Sequence, residues 1–225
     1  MQSSSLPVRK WGPGTAAIAR ALIAAKAPMT QVALARAVGV SQPRASQVLK
    51  HFLDAQAVSA SPGGYRGRPA RLLELYRDRA RPHLAAPETF WFSTRPLVDQ
   101  AHRITDVARE AEVAVAFSAD LGPDLLAPWR HPTLTIVYAD RDLPLDSAGL
   151  VPAESRVDAS ILWRHTSDAT LLTVPETWPQ TVEDVPLTDP VQQWWDLHDL
   201  GSEDRREAAD RLRRAIIEKS IASAA

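Results

Sequence analysis

Apolar residues recur at helical spacing from the start of the chain. In residues 13–27, Ile18, Ala21, Leu22 and Ala25 fall at i, i+3, i+4 and i+7, predicting a helix with Arg20 and Lys26 off its buried face. Thr30 is placed to cap a second helix over 31–38, and Gly39 to end it where a left-handed residue costs least. Ser41 is placed to cap a third helix over 42–54, with Pro43 in its first turn. Along that helix Ala45, Val48, Leu49, Phe52 and Leu53 make one apolar stripe. Two short segments, 57–60 and 65–68, flank Ser61-Pro62-Gly63-Gly64, a turn signal that predicts a β-hairpin. Pro69 opens a fourth helix over 69–79, with Leu72, Leu73 and Tyr76 inward.

Residues 83–87 carry neither period and read as a linker. Beyond them the pattern alternates. Strands are expected at 89–93, 113–117, 133–138, 159–163 and 170–174, and helices over 96–112 and 121–129. Asp189 caps a helix over 190–200, Gly201 ends it, and Ser202 with Glu203 and Asp204 starts a last helix to about residue 220. Trp91, Trp129, Trp163, Trp194 and Trp195 are expected to pack the core of this second part. The fold class is therefore α+β, with a helical N-terminal domain at 1–82, a linker at 83–87 and a mixed α/β domain at 88–225 ending in a helical pair.

Charge sharpens this division. The chain of 225 residues has a formal net charge of −1. Residues 1–82 hold 13 Lys+Arg against 3 Asp+Glu, a net of +10, whereas residues 83–225 hold 13 against 24, a net of −11. A basic module suits a polyanion and an acidic one does not. The absence of Cys excludes disulfides, thiolate metal sites and cysteine nucleophiles. Residues 1–12 read as a polar arm without an apolar signal-peptide core, and no apolar run is long enough to span a membrane, so a cytoplasmic protein without membrane contacts is expected.

The segment QVALARAVGVSQPRASQVLK, residues 31–50, fits the helix-turn-helix pattern. Two helices crossing steeply need a small residue at the contact, Ala35, and a Gly in the turn, Gly39. Ser41, Gln42, Pro43, Arg44, Ser46, Gln47 and Lys50 lie off the apolar stripe and suit DNA: Arg reads guanine edges, Gln reads adenine, and Ser and Lys hold phosphates. With Tyr65, Arg66 and Arg68 on the hairpin, the whole resembles a winged helix-turn-helix for operator DNA. Binding of two copies to paired half-sites is a further expectation.

The second part offers little catalytic chemistry. Ser118 lacks the Gly-flanked turn of a nucleophilic serine, and the six His residues show no ligand spacing. Asp140-Arg141-Asp142 has the spacing of a two-metal site. It follows its strand instead of entering it, and no Gly-Ser phosphate cradle precedes it. This reads as a nucleotidyltransferase-like scaffold without an active site, hence not an enzyme, with no cofactor and no metal.

The segment VPLTDPVQQWWDLHDLGSEDRREAADRL, with Asp189-Pro190, Trp194-Trp195, Asp196-Leu197 and the Glu-Ala-Ala of the last helix, resembles the C-terminal signature of the AbiEi family of type IV antitoxins. The resemblance extends over most of residues 15–218. It implies a repressor of its own operon whose C-terminal domain counters a nucleotidyltransferase-type toxin. The alternatives are a ligand-sensing winged-helix regulator and a DNA-tethered nucleotidyltransferase.

Overall fold

The structure, a computed structural model, describes residues 10–81, 86–122, 132–173 and 181–218. The chain divides into two compact units, Met1–His83 and Leu84–Ala225. Among the described residues, no helix is long and apolar enough to cross a membrane.

The first unit comprises α1 (Pro13–Ala24), α2 (Gln31–Ala37), α3 (Gln42–Asp54), a hairpin of β1 (Val58–Ser61) and β2 (Gly64–Gly67), and α4 (Pro69–Arg79). Helix α1 is its hub. Small alanines let α2, α3, α4 and the hairpin close around it, and Ile18, Ala19, Leu22 and Ile23 are sealed from solvent. Arg20, expected off the buried face, is therefore buried too, and its Nη1 donates to the Tyr76 hydroxyl at 3.0 Å. Trp11 closes the bottom of this core, with ring centroids 5.3 Å from Phe52 and 6.0 Å from Tyr76.

The helix boundaries follow local chemistry. Thr30 Oγ1 accepts from the Ala33 N–H at 3.2 Å and Ser41 Oγ from the Arg44 N–H at 3.4 Å, each satisfying a donor that the first turn leaves free. Gly39 turns the chain at φ 67°, and Ala35 is buried where α2 meets α3. Leu53 departs from the expected stripe: it is 37% exposed, about a quarter-turn from the stripe's centre. The hairpin pairs Val58 with Gly67 and Ser61 with Gly64. Met29, between α1 and α2, bridges to β2 by exchanging backbone hydrogen bonds with Tyr65 at 2.9 and 2.8 Å.

The second unit is built on a five-stranded mixed sheet. Its strands are β3 (Thr89–Phe92), β4 (Val115–Ala119), β5 (Thr135–Ala139), β6 (Val151–Pro152) and β7 (Ile161–His165), in the order β4-β5-β7-β3-β6. Of these strand pairs, β5 with β7 is parallel and the others are antiparallel. Helix α5 (Leu97–Glu110) covers the face carrying Phe117, Val137 and Trp163. A hairpin of β8 (Thr181–Val182) and β9 (Val185–Pro186) leads to α6 (Pro190–Leu200) and α7 (Glu203–Glu218). Helix α6 packs on β4 and lies against the face carrying Ser118, Tyr138 and Arg164. Burial on both faces explains the continuous apolar run of β5.

Several expected elements move. The strand of 113–117 starts later, at Val115, because α5 ends in a left-handed Glu112 (φ 55°) and the Val113 N–H returns to the Ala108 carbonyl at 2.9 Å. The strand of 159–163 becomes Ile161–His165, since residues 155–158 still turn, with the Asp158 N–H on the Ser155 carbonyl. Of the strand expected over 170–174, residue 174 lies outside the described residues, and the chain forms a 3-10 turn over Ala169–Leu171. There the Asp168 carboxylate captures the Thr170 N–H at 3.1 Å and bends the chain. Of the helix expected over 121–129, residues beyond Gly122 lie outside the described residues, and Trp129 with them. Trp163, Trp194 and Trp195 are buried as expected, and Trp91 is half-buried.

Candidate nucleic-acid interface

Helix α3 sorts its residues by angle. Ala45, Val48, Leu49 and Phe52 are buried, so at about 100° per residue Pro43, Gln47, Lys50 and Asp54 form the row pointing directly away. All four are exposed. Ser41 caps the helix at this end. Gln42 and the exposed Ser46 lie on one flank, where the Gln42 carbonyl accepts from Gln31 Nε2 at 3.1 Å. Arg44 and His51 lie on the other flank. Arg44 Nη2 donates to Thr15 Oγ1 on α1 at 2.9 Å, and Arg79 Nη1 lies 3.0 Å from His51 Nε2. A guanidinium can only donate, so His51 presents a neutral ring nitrogen to Arg79. Burial and the neighbouring Arg79 charge lower the His51 pKa, against a smaller upward pull from Asp54.

The hairpin also sorts its residues. Successive side chains on a strand point to opposite faces. A Cβ on Gly67 would lie 2.5 Å from the Leu22 carbonyl, so the face shared by Tyr65 and Gly67 turns toward α1. Arg66 points the other way, and Arg68, extended at φ −103°, ψ 95°, continues on the side of Arg66. Both arginines are exposed and Tyr65 is half-buried. The three residues grouped in the sequence are thus separated, with two arginines outward and the tyrosine inward. Gly64 sits at φ 116°, where a Cβ would meet the Met29 carbonyl at 2.4 Å, so this glycine permits the close Met29–Tyr65 bridge.

The ion pairs of the first unit are unevenly spread. On α4, Arg71 pairs with Glu74 at 2.9 Å and Arg77 with Asp78 at 3.1 Å. On α3 and the hairpin, Arg44, Lys50, Arg66 and Arg68 have no acidic partner among the described residues. These four charges face outward from a unit with a net of +10.

In the second unit, Ser118 joins a buried polar network. Ser118 Oγ donates to Asp196 Oδ2 at 2.6 Å, and the Tyr138 hydroxyl to Asp196 Oδ1 at 2.9 Å. Arg164 reaches Asp196 at 3.1 Å and Glu88 at 2.5 Å, and Gln192 donates to the Tyr138 hydroxyl at 3.0 Å. Burial pushes the Asp196 carboxyl upward, against the pull of Arg164 and the hydroxyl donors, and pushes the Tyr138 phenol well above its ordinary value. Burial disfavours the Arg164 charge, but Tyr138, Asp196 and Glu88 outweigh it and hold the guanidinium above its ordinary value.

Asp140 and Asp142 diverge. Asp140 Oδ1 accepts from the Ala114 N–H at 3.2 Å, and Asp142 pairs with His165 at 2.8 Å. Among the described residues no group of His, Asp or Glu is arranged to hold a metal ion. Asp120 accepts two hydrogen bonds from Arg205, at 2.7 and 2.9 Å, and receives the Thr133 and Leu134 N–H groups, fastening β4, β5 and α7 together.

Sequence reasoning missed Thr15 as a partner of Arg44, and it missed the Arg164–Asp196 pair. The second carried a signal: an aspartate flanked by Trp194, Trp195 and Leu197, and an arginine ending the run Ile161-Leu162-Trp163, are charges in apolar settings that need each other. No protein-family model, curated protein or solved structure matches the chain.

Proposed function

We propose that this protein is a sequence-specific, double-stranded-DNA-binding transcriptional regulator whose first unit is a winged helix-turn-helix. The observation that carries the reading is the outward polar row of α3 together with four uncompensated cations, Arg44, Lys50, Arg66 and Arg68, on α3 and the hairpin. Helix α3 fits the width of a major groove, and Arg66 with Arg68 then follows the adjacent backbone as the wing. The acidic second unit is the regulatory part.

The resemblance of residues 185–212 to the AbiEi signature supports an autorepressing antitoxin that counters a nucleotidyltransferase-type toxin. The mixed run β4-β5-β7 supports a nucleotidyltransferase-like scaffold, and the separate engagements of Asp140 and Asp142 support its being inactive. The reading places the protein in the cytoplasm, where its DNA lies.

Titration of the full chain against duplexes from its own promoter region, at several salt concentrations, tests the DNA-binding claim. The four cations lead us to expect a salt slope of about −3.5 per bound copy. Arg66→Ala should weaken every duplex alike and reduce the slope by about one. Absence of duplex binding at low salt would overturn the reading. Co-expression with a nucleotidyltransferase-type toxin encoded beside it tests the antitoxin claim, which fails if growth arrest is not relieved.

A further inference from the structure

Arg44 is the residue of α3 that residue type alone would assign to a guanine edge, yet its geometry differs from that of its neighbours. It lies about a quarter-turn from the centre of the outward row that holds Gln47 and Lys50, and its Nη2 is held at 2.9 Å by Thr15 Oγ1. Thr15 is buried, 6% exposed, in the first turn of α1, so it is a fixed anchor. That turn contains no acidic residue, and a helix N-terminus carries partial positive charge. A guanidinium docked there is left with positive neighbours, a position that favours an anion beside it.

Groove dimensions set the rest. A helix about 10–12 Å wide fills a major groove about 12 Å wide. Residues on its outward row meet base edges, and residues on its flanks meet the phosphate walls. We infer that Arg44 is a phosphate clamp positioned by Thr15, and that Gln47, with Lys50 beside it, carries the sequence discrimination. The inference rests on the DNA-binding reading above and assigns roles within it. Thr15 acts through Arg44 and is a positioning residue.

The test uses the full chain and two fluorescent duplexes, one selected by the wild-type protein from a random-sequence pool and one a scramble of it. If the wild type enriches no duplex, the DNA-binding reading and this inference fall together. If it does, the inference is tested by itself. Arg44→Ala should weaken both duplexes by about fivefold near physiological salt and reduce the salt slope by about one. Arg44→Lys should keep the slope. Thr15→Val should act in the same direction as Arg44→Ala, Thr15→Ser should restore binding, and the double variant should be no weaker than Arg44→Ala. Gln47→Ala should lower preference for the selected duplex on the order of tenfold with an unchanged slope.

Loss of preference in Arg44→Ala with an unchanged slope would make Arg44 a base reader and overturn the assignment. Additive losses in the double variant would reduce Thr15 to a packing residue and overturn its role. Urea midpoints for each variant separate a binding defect from unfolding.

Discussion

Arg164 and Asp196 meet at 3.1 Å with side chains only 3% and 0% exposed, joining strand β7 to helix α6 across the sheet face. Ser118 and Tyr138 complete the ring of donors around the same carboxylate. Removing one partner of a buried pair costs far more than the pair contributes, because the other charge stays behind. Asp196→Ala should therefore destabilise the second unit by about 3 kcal/mol, read from its urea midpoint. A loss below about 1 kcal/mol would put the pair on a level with surface ion pairs.

His51 should make the first unit acid-sensitive. Its folded pKa lies below the unfolded value, so the unfolded chain binds the proton first. The stabilising contribution is complete above about pH 6.5 and is lost as pH falls through the lowered folded value. Urea midpoints at about pH 7.5 and about pH 5.5 should separate for the wild type. The gap should narrow in His51→Gln, and an equal gap would place the sensitivity elsewhere.

Two glycines with positive φ should respond differently. At Gly39 a Cβ meets nothing within 4 Å, so Gly39→Ala should cost only the left-handed penalty of about 1–2 kcal/mol. At Gly64 the Cβ would press on the Met29 carbonyl as well, so Gly64→Ala should cost more and should expose the Met29 and Tyr65 amides to hydrogen exchange. Equal costs would show that the Met29–Tyr65 bridge yields without resistance.

Helix caps offer a graded comparison. Asp189 is buried and accepts from the Val191 and Gln192 N–H groups at 2.9 and 3.1 Å, whereas Ser41 is exposed and accepts one N–H at 3.4 Å. Asp189→Ala should cost about 2 kcal/mol and Ser41→Ala about 0.5 kcal/mol, each read from the denaturation of its own unit. The reverse order would mean that burial of the Asp189 carboxylate cancels its hydrogen bonds.

What the sequence reveals depends on how local the cause is. Helix α3 is legible to the residue, because Ser41, Pro43 and the Ala45–Val48–Leu49–Phe52 stripe act within a few positions of one another. The hairpin is legible from Pro62-Gly63-Gly64. Strand β6, two residues long and containing Pro152, carries no pattern of its own and exists only because β3 pairs with it. The order β4-β5-β7-β3-β6 is set by distant pairings, which no local period encodes. At the candidate interface, residue types reveal the set of polar side chains but not their directions. The anchoring of Arg44 depends on Thr15, 29 positions earlier, and the inward turn of Tyr65 depends on the closeness of Leu22 to Gly67.

The carboxylate of Asp196 also imposes an order on synthesis. A ribosome that has translated through His165 has delivered Ser118, Tyr138 and Arg164, but their common acceptor comes 32 residues after Arg164 and 78 after Ser118. The first unit has every element in hand by Arg79 and can close while translation continues. The sheet must wait, one face open, until α6 leaves the exit tunnel. A chain cut short between His165 and Pro190 would keep that face uncovered and its arginine without Asp196, so truncated products should be recognised as unfinished and degraded even though their N-terminal unit is intact.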